Sequence, residues 1–266
     1  MLENLPVVQL ALLRGRTWRY LRYLHFRDYL SRVSGEVETV CVCGAGHGFA
    51  ELACALEFPH IKFTLTDIIA EGYPNYHRTM VHAWRWGLDN IQFSVWNVLH
   101  QTDRRFDLVA STEMLEHVPD IPRAVRNMRK AAAKYVYCLL PFADDATNAD
   151  PVKRERVWND HRHFIFGLDQ KSLQSLFGEP EYIAGAYWHD TGLPFRQKLA
   201  ALTEAEIESS IVHLANEASA DLRDAVPQTL RDAAGIKILA RADAPLTSSA
   251  PLLPPSLKEL HVEAAV

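Results

Sequence analysis

Between residues 37 and 142 the chain alternates short, unbroken apolar runs with longer stretches of mixed polarity. The apolar runs are VETVCVCG (37–44), IKFTLTDI (61–68), IQFSVWNV (91–98), FDLVAST (106–112) and KYVYCLLPF (134–142). FAELACALEF, NYHRTMVHAWRWG and IPRAVRNMRKAAA separate them and have helical character. Runs that stay apolar, instead of alternating with polar residues, suit strands buried on both faces. Helices between such strands argue for an α/β fold with a mainly parallel sheet covered on both sides. Ligands of such sheets bind beyond the carboxyl ends of the strands.

After residue 142 the rhythm changes. ADDATNADPVKRERVWNDHRHF is polar and reads as a loop or lid. Asp169 is placed to cap a short helix, QKSLQSLF, that Gly178 and Pro180 end. YIAGAYW (182–188) and GIKILARA (235–242) read as two more strands, separated by a helical insertion in which Thr203 and Glu206 have capping-box spacing. The N-terminal segment RGRTWRYLRYLHFRDYLSR reads as a helix with Arg16, Arg19, Arg22 and Arg27 within one arc. That arc is either a solvated face over packed aromatics or a patch that meets an anionic substrate. The expected division is an N-terminal helical cap (1–34), a main domain (35–242, insertion about 193–232) and a Pro/Ser-rich tail (243–266).

A formal charge of −5 offers no general attraction for nucleic acid or an anionic membrane. No run of about 18 apolar residues is present, and Glu3 stands where a signal peptide carries positive charge. A cytoplasmic protein without a membrane span is therefore expected; its oligomeric state is not legible. Cys41, Cys43, Cys54 and Cys138 lie in apolar contexts without CxxC spacing, which suits core thiols rather than zinc or redox chemistry.

The candidate chemistry begins at TVCVCGAGHGFAEL, a strand that runs into a glycine turn and then a helix. Gly44, Gly46 and Gly48 permit a tight turn and close approach of backbone to a ligand, and the helix start offers unpaired N–H groups. A dinucleotide turn would place its third glycine at position 49, where this chain has Phe49, and this disfavours NAD or FAD. Asp67 ends the second strand, 21 residues after Gly46, where a carboxylate can accept from both hydroxyls of a ribose or simply cap a helix.

FDLVASTEMLEHVPD (106–120) resembles the fourth-strand region of class I S-adenosylmethionine-dependent methyltransferases, in the form found among quinone-biosynthesis enzymes. The resemblance spans about residues 37–190, with the strand near 235–242 completing the sheet. It implies a Rossmann-like sheet of seven strands, the last antiparallel, and S-adenosylmethionine as cofactor. By that pattern Gly44, Ala45, Gly46 and Gly48 border the methionine part, Asp67 holds the ribose, and Ile68 packs on the adenine. Asn97 and Val98 reach the adenine edge, and Ser111 or Thr112 lies beside the sulfonium. The chain departs from the pattern twice: Val42 stands at the place of an acid, and Asn97 at that of an Asp. Loss of one charge-assisted contact costs roughly 1.5–3 kcal/mol where nothing compensates.

Glu113, Glu116 and His117 follow as ExxEH, with His161 and His163 later in NDHRHF. Methyl transfer to a hydroxyl or ammonium needs a base, and His117, His161 and His163 are the candidates. The reading is transfer to an O or N atom of a small biosynthetic acceptor. ExxEH also resembles the metal set of RNA 3′-terminal 2′-O-methyltransferases, which would use Glu113, Glu116, His117 and His161 to hold Mg²⁺ or Mn²⁺. A non-catalytic methyltransferase-like subunit, suggested by Val42, is a third possibility, and a nicotinamide dehydrogenase a distant fourth.

Overall fold

The computed structural model describes residues 2–9, 17–68, 75–141, 150–164, 176–177, 181–184, 201–203, 205–206, 209 and 233–243. Among the described residues seven strands form one sheet: β1 (Thr39–Cys43), β2 (Lys62–Asp67), β3 (Ile91–Val95), β4 (Phe106–Thr112), β5 (Ala132–Pro141), β6 (Glu181–Ala184) and β7 (Ala233–Arg241). Their spatial order is β3-β2-β1-β4-β5-β7-β6. The first five run parallel, and β7 lies antiparallel between β5 and β6. The order reverses between β1 and β4, so the crevice that takes ligands in such sheets opens at their carboxyl ends.

The helices are α1 (Thr17–Val33), α2 (Phe49–Glu57), α3 (Asn75–Arg85), α4 (Ile121–Ala131) and α5 (Pro151–His161), with a short 3₁₀ turn at Leu115–His117. Because successive strand residues face opposite ways, β1 feeds two cores. Val40 and Val42 pack with α1 and α2, whereas Cys41 and Cys43 pack with α4 residues Ile121, Val125 and Met128. Asp120 caps α4 through Arg123 N at 3.0 Å, with proline in its first turn.

Helix α1 is part of this core. Tyr20, Tyr23, Phe26 and Leu30 are fully buried, and Phe26 and Tyr29 pack on Tyr137 of β5 with ring centroids 5.2 and 4.9 Å apart. Each such aromatic contributes about 1.5–3 kcal/mol by burial. The arginine arc is consequently not a simple solvated face where it is described. Arg27 Nε pairs with Glu57 at 2.9 Å, and Tyr23 donates to the same carboxylate at 2.7 Å, which ties α1 to α2. Arg22 turns toward the end of β4. Arg16 and the side chain of Arg19 lie outside the described residues.

The segment expected to be a loop or lid contains α5 instead. Asp150 caps it by accepting from Val152 N and Lys153 N at 3.0 and 3.3 Å, and Pro151 follows at the first helical position. This helix is polar on nearly every face, so no apolar period marks it in the sequence. The capping box forms as its spacing predicts: Thr203 N and Oγ1 donate to Glu206 at 2.8 and 2.6 Å. All four cysteines are buried and unbridged, and burial pushes the Cys138 thiol up to about 12, so these are core thiols. Among the described residues no helix is long and apolar enough to cross a membrane. The tail beyond Asp243 and most of the 193–232 insertion lie outside the described residues.

Candidate active site

Two loops flank the crevice, one after β1 and one after β4. In the first, Gly44, Gly46 and Gly48 all have left-handed φ, at 67°, 56° and 67°. Gly44 is required by close approach, because a Cβ there would come within 2.3 Å of Met114 Cγ. Gly46 is different: a Cβ on it would meet nothing within 4 Å, so this stretch of backbone faces open space. Gly46 N donates to Asp67 Oδ2 at 2.8 Å, and Ile68 N donates to Oδ1 at 2.7 Å. The carboxylate therefore braces the turn and keeps lone pairs for further donors.

The other residues expected here are placed unevenly. Ala45 is buried, and Ile68, just after β2, is 56% exposed. Asn97 Oδ1 already accepts from Leu99 N at 2.9 Å, forming a local turn, so only its second lone pair remains for an exocyclic amine. Val98 is buried and its carbonyl accepts from Asn127 at 2.8 Å. Ser111 Oγ donates to Cys138 Sγ at 3.4 Å, whereas Thr112 Oγ1 accepts from Arg22 Nη2 at 3.1 Å. Of that pair, Thr112 is the one engaged with a charged neighbour.

The second loop is more highly charged. Glu113 adopts a left-handed φ of 54°, strained for a residue with a Cβ, and its N–H donates to Leu139 O at 2.8 Å. The 3₁₀ turn follows, fixed by His117 N donating to Met114 O at 3.0 Å and Phe164 N donating to Glu116 O at 2.8 Å. Phe164, packed on Trp158 of α5, thus clamps the segment after α5 onto the turn. The clamp brings His163 against His117, their rings edge to face with centroids 4.3 Å apart. Glu116, His117 and His163 have ligand atoms within 4.8 Å of one another. His117 Nδ1 donates to Arg162 O at 3.3 Å, which leaves the lone pair of the neutral ring on Nε2. The side chain of His161 lies outside the described residues.

Glu116 is completely buried, and among the described residues neither carboxylate oxygen has a hydrogen-bond partner. Burial, then the neighbouring Glu113, pushes its carboxyl well above the ordinary range. Burial likewise pushes Glu113 up to about 7, opposed by Arg22. Arg22 also opposes the upward shift that burial imposes on Glu51 in the first turn of α2. Glu51 was not foreseen as part of this neighbourhood. The signal was there, a lone acid inside the apolar stripe ELACAL, where an unpaired charge is costly.

The family described as "Methyltransferase domain" matches residues 16–179, well over half of the chain. The chain belongs to the class I S-adenosylmethionine-dependent methyltransferases. The match starts at residue 16 and so takes in α1, whose aromatics complete the core. Solved structures share the fold of this methyltransferase. A protein described as a sarcosine dimethylglycine methyltransferase from Galdieria sulphuraria is 13% identical, with a TM-score of 0.57 over 84% of this chain and 86% of that one. Coclaurine N-methyltransferase, bound to N-methylheliamine and S-adenosylhomocysteine, is 12% identical, with a TM-score of 0.54 over 83% and 70%. The 4+2 cyclase SpnF is 14% identical, with a TM-score of 0.53 over 82% and 80%. A comparison with curated protein sequences gives no match. The open backbone at Gly46 and the braced carboxylate of Asp67 fit an adenosyl cofactor. At the place of the family acid, Val42 is fully buried among apolar neighbours, and the charged groups of the site come from elsewhere.

Proposed function

We propose that this methyltransferase moves a methyl group to an oxygen or nitrogen of a small-molecule acceptor that enters between the two loops. The observation that carries the reading is the His117–His163 pair, seated beside the buried carboxylate of Glu116 and joined to the cofactor turn by the Met114–Gly44 contact. S-adenosylmethionine supplies, when bound, an electrophilic methyl group on a positively charged sulfur. Gly44, Ala45, Gly46 and Gly48 border its methionine part, and Asp67 accepts from the ribose hydroxyls. Ile68 covers one adenine face, and Asn97 and Val98 meet its edge. Of Ser111 and Thr112 we assign Thr112 to the transfer point, because Arg22 holds it while the Ser111 hydroxyl is turned to Cys138.

His117 is the base that takes the acceptor's proton, because the Arg162 carbonyl fixes its tautomer and its ring is exposed. His163 orients it and shares the proton. His161 stays a candidate by position alone. An acidic chain has no general pull on nucleic acid, which favours a small acceptor over RNA. Coclaurine N-methyltransferase, a fold relative, holds a small amine together with S-adenosylhomocysteine. That likeness supports the class of acceptor and not its identity. The helical N terminus and the 193–232 insertion are the segments we assign to shaping the acceptor pocket.

One of the fold relatives is described as a cyclase and not as a methyltransferase, so a form of this fold that does not transfer methyl groups is the specific alternative. The deciding experiment incubates the protein with methyl-labelled S-adenosylmethionine and panels of hydroxyl and amine compounds. Label in an acceptor, with matching release of S-adenosylhomocysteine, supports the reading. Cofactor binding with no transfer to either panel overturns it.

A further inference from the structure

We propose that Glu116, His117 and His163 form a binding site for one divalent first-row transition-metal ion at the acceptor side of the crevice. Three observations converge on it. The ligand atoms of the three residues lie within 4.8 Å of one another, although His163 is 46 residues beyond His117 in the chain. Glu116 is fully buried, and among the described residues neither of its carboxylate oxygens has a hydrogen-bond partner. Such an arrangement costs stability unless a cation or donor completes it. His117 donates through Nδ1 to the Arg162 carbonyl, the outer contact that orients metal-bound imidazoles and directs Nε2 to the ion.

The donor set selects the ion. Two imidazole nitrogens and one carboxylate oxygen suit Zn²⁺, Mn²⁺, Fe²⁺ or Co²⁺, whereas Mg²⁺ and Ca²⁺ favour oxygen donors. Bonds of about 2.1 Å in a tetrahedral site place donors roughly 3.4 Å apart. Closure from the observed spacing is thus of the order of an ångström. Three protein ligands leave a position open for water or for an acceptor oxygen; with the ion bound, Nε2 of His117 is a ligand, and a metal-bound hydroxide takes the acceptor's proton in its place. Among the described residues the group holds His163 with Glu116 and His117, and Glu113 stands outside it; the side chain of His161 lies outside the described residues. The backbone clamp from Phe164 to Glu116 presents His163 to the turn.

The role of the ion in holding an acceptor rests on the methyl-transfer reading; the presence of the site does not. The test uses the full chain, stripped with chelator and titrated with Co²⁺, whose visible absorption reports coordination directly. One Co²⁺ per chain is expected, displaced by Zn²⁺. Glu116→Gln and His163→Ala should each weaken it by more than the roughly 100-fold that loss of an outer contact costs. His60→Ala, at an exposed histidine bonded to Ser34 O, should leave it unchanged. Thermal melting checks that the variants fold, and His163→Ala, at a half-buried side chain, remains informative if Glu116→Gln does not fold. Absence of stoichiometric Co²⁺ in the parent protein, or binding equal in parent and His163→Ala, overturns the site. S-adenosylhomocysteine titration of the same samples reports on the methyl-transfer reading separately.

Discussion

The loop after β1 and the loop after β4 sit side by side, yet they spend their polar groups in opposite ways. Around Gly46 the polar atoms are answered locally: Asp67 accepts from two main-chain N–H groups, and Asn97 caps its own turn. After β4 the backbone is strained at Glu113, and the carboxylate of Glu116 is buried without a hydrogen-bond partner among the described residues. The first loop is complete before any ligand arrives, which suits a cofactor common to a whole family. The second holds polar capacity in reserve, and reserve of that kind is where an individual enzyme meets its own acceptor. What divides them is whether main chain or side chain does the satisfying.

Arg22 gives the largest expected effect, because it is the cation that faces Glu51, Glu113 and Glu116. Arg22→Met should cost about 3 kcal/mol at pH 8, where it leaves buried carboxylates uncompensated. The loss should shrink toward pH 5 as they take up protons. Denaturant unfolding at the two pH values checks this, and an equal loss at both would detach Arg22 from the acceptor loop. Next comes Asp67→Ala, which should weaken S-adenosylhomocysteine binding by about 2 kcal/mol, roughly 30-fold, in calorimetry. Gly46→Ala should cost about 1 kcal/mol of stability from its left-handed φ, with a further loss of cofactor affinity, since the added methyl projects into the open space.

The smallest effect sharpens the electrostatic side. Burial raises the Glu51 carboxyl above its ordinary 4.5, so the folded state holds a proton that the unfolded chain has released. Stability from this group is therefore greatest below pH 4.5 and declines as pH rises through the folded value. Glu51→Gln lacks that decline, and its stability should fall less than the parent's between pH 4.5 and 8. A parallel pair of pH profiles would place Glu51 outside the charged group.

What the sequence revealed follows the same division. Strands β1 to β5 were legible because continuous apolar runs need two covered faces, and the glycine turn was legible because its constraint is local. The Thr203–Glu206 box was visible for the same reason. Helix α5 was missed because its polar faces carry no period, and with it the approach of His163 to His117. That approach depends on the Phe164–Glu116 backbone contact, which joins segments 48 residues apart and leaves no local trace. The arginine arc was noticed, but only the fold reveals that Arg22 leaves it for Thr112.

The most direct test of the two-loop account is a calorimetric titration of S-adenosylhomocysteine into the parent protein, Asp67→Ala and His163→Ala. The account predicts stoichiometric binding to the parent, unchanged binding to His163→Ala, and binding roughly 30-fold weaker in Asp67→Ala. No binding to the parent, or equal weakening in both variants, would contradict it.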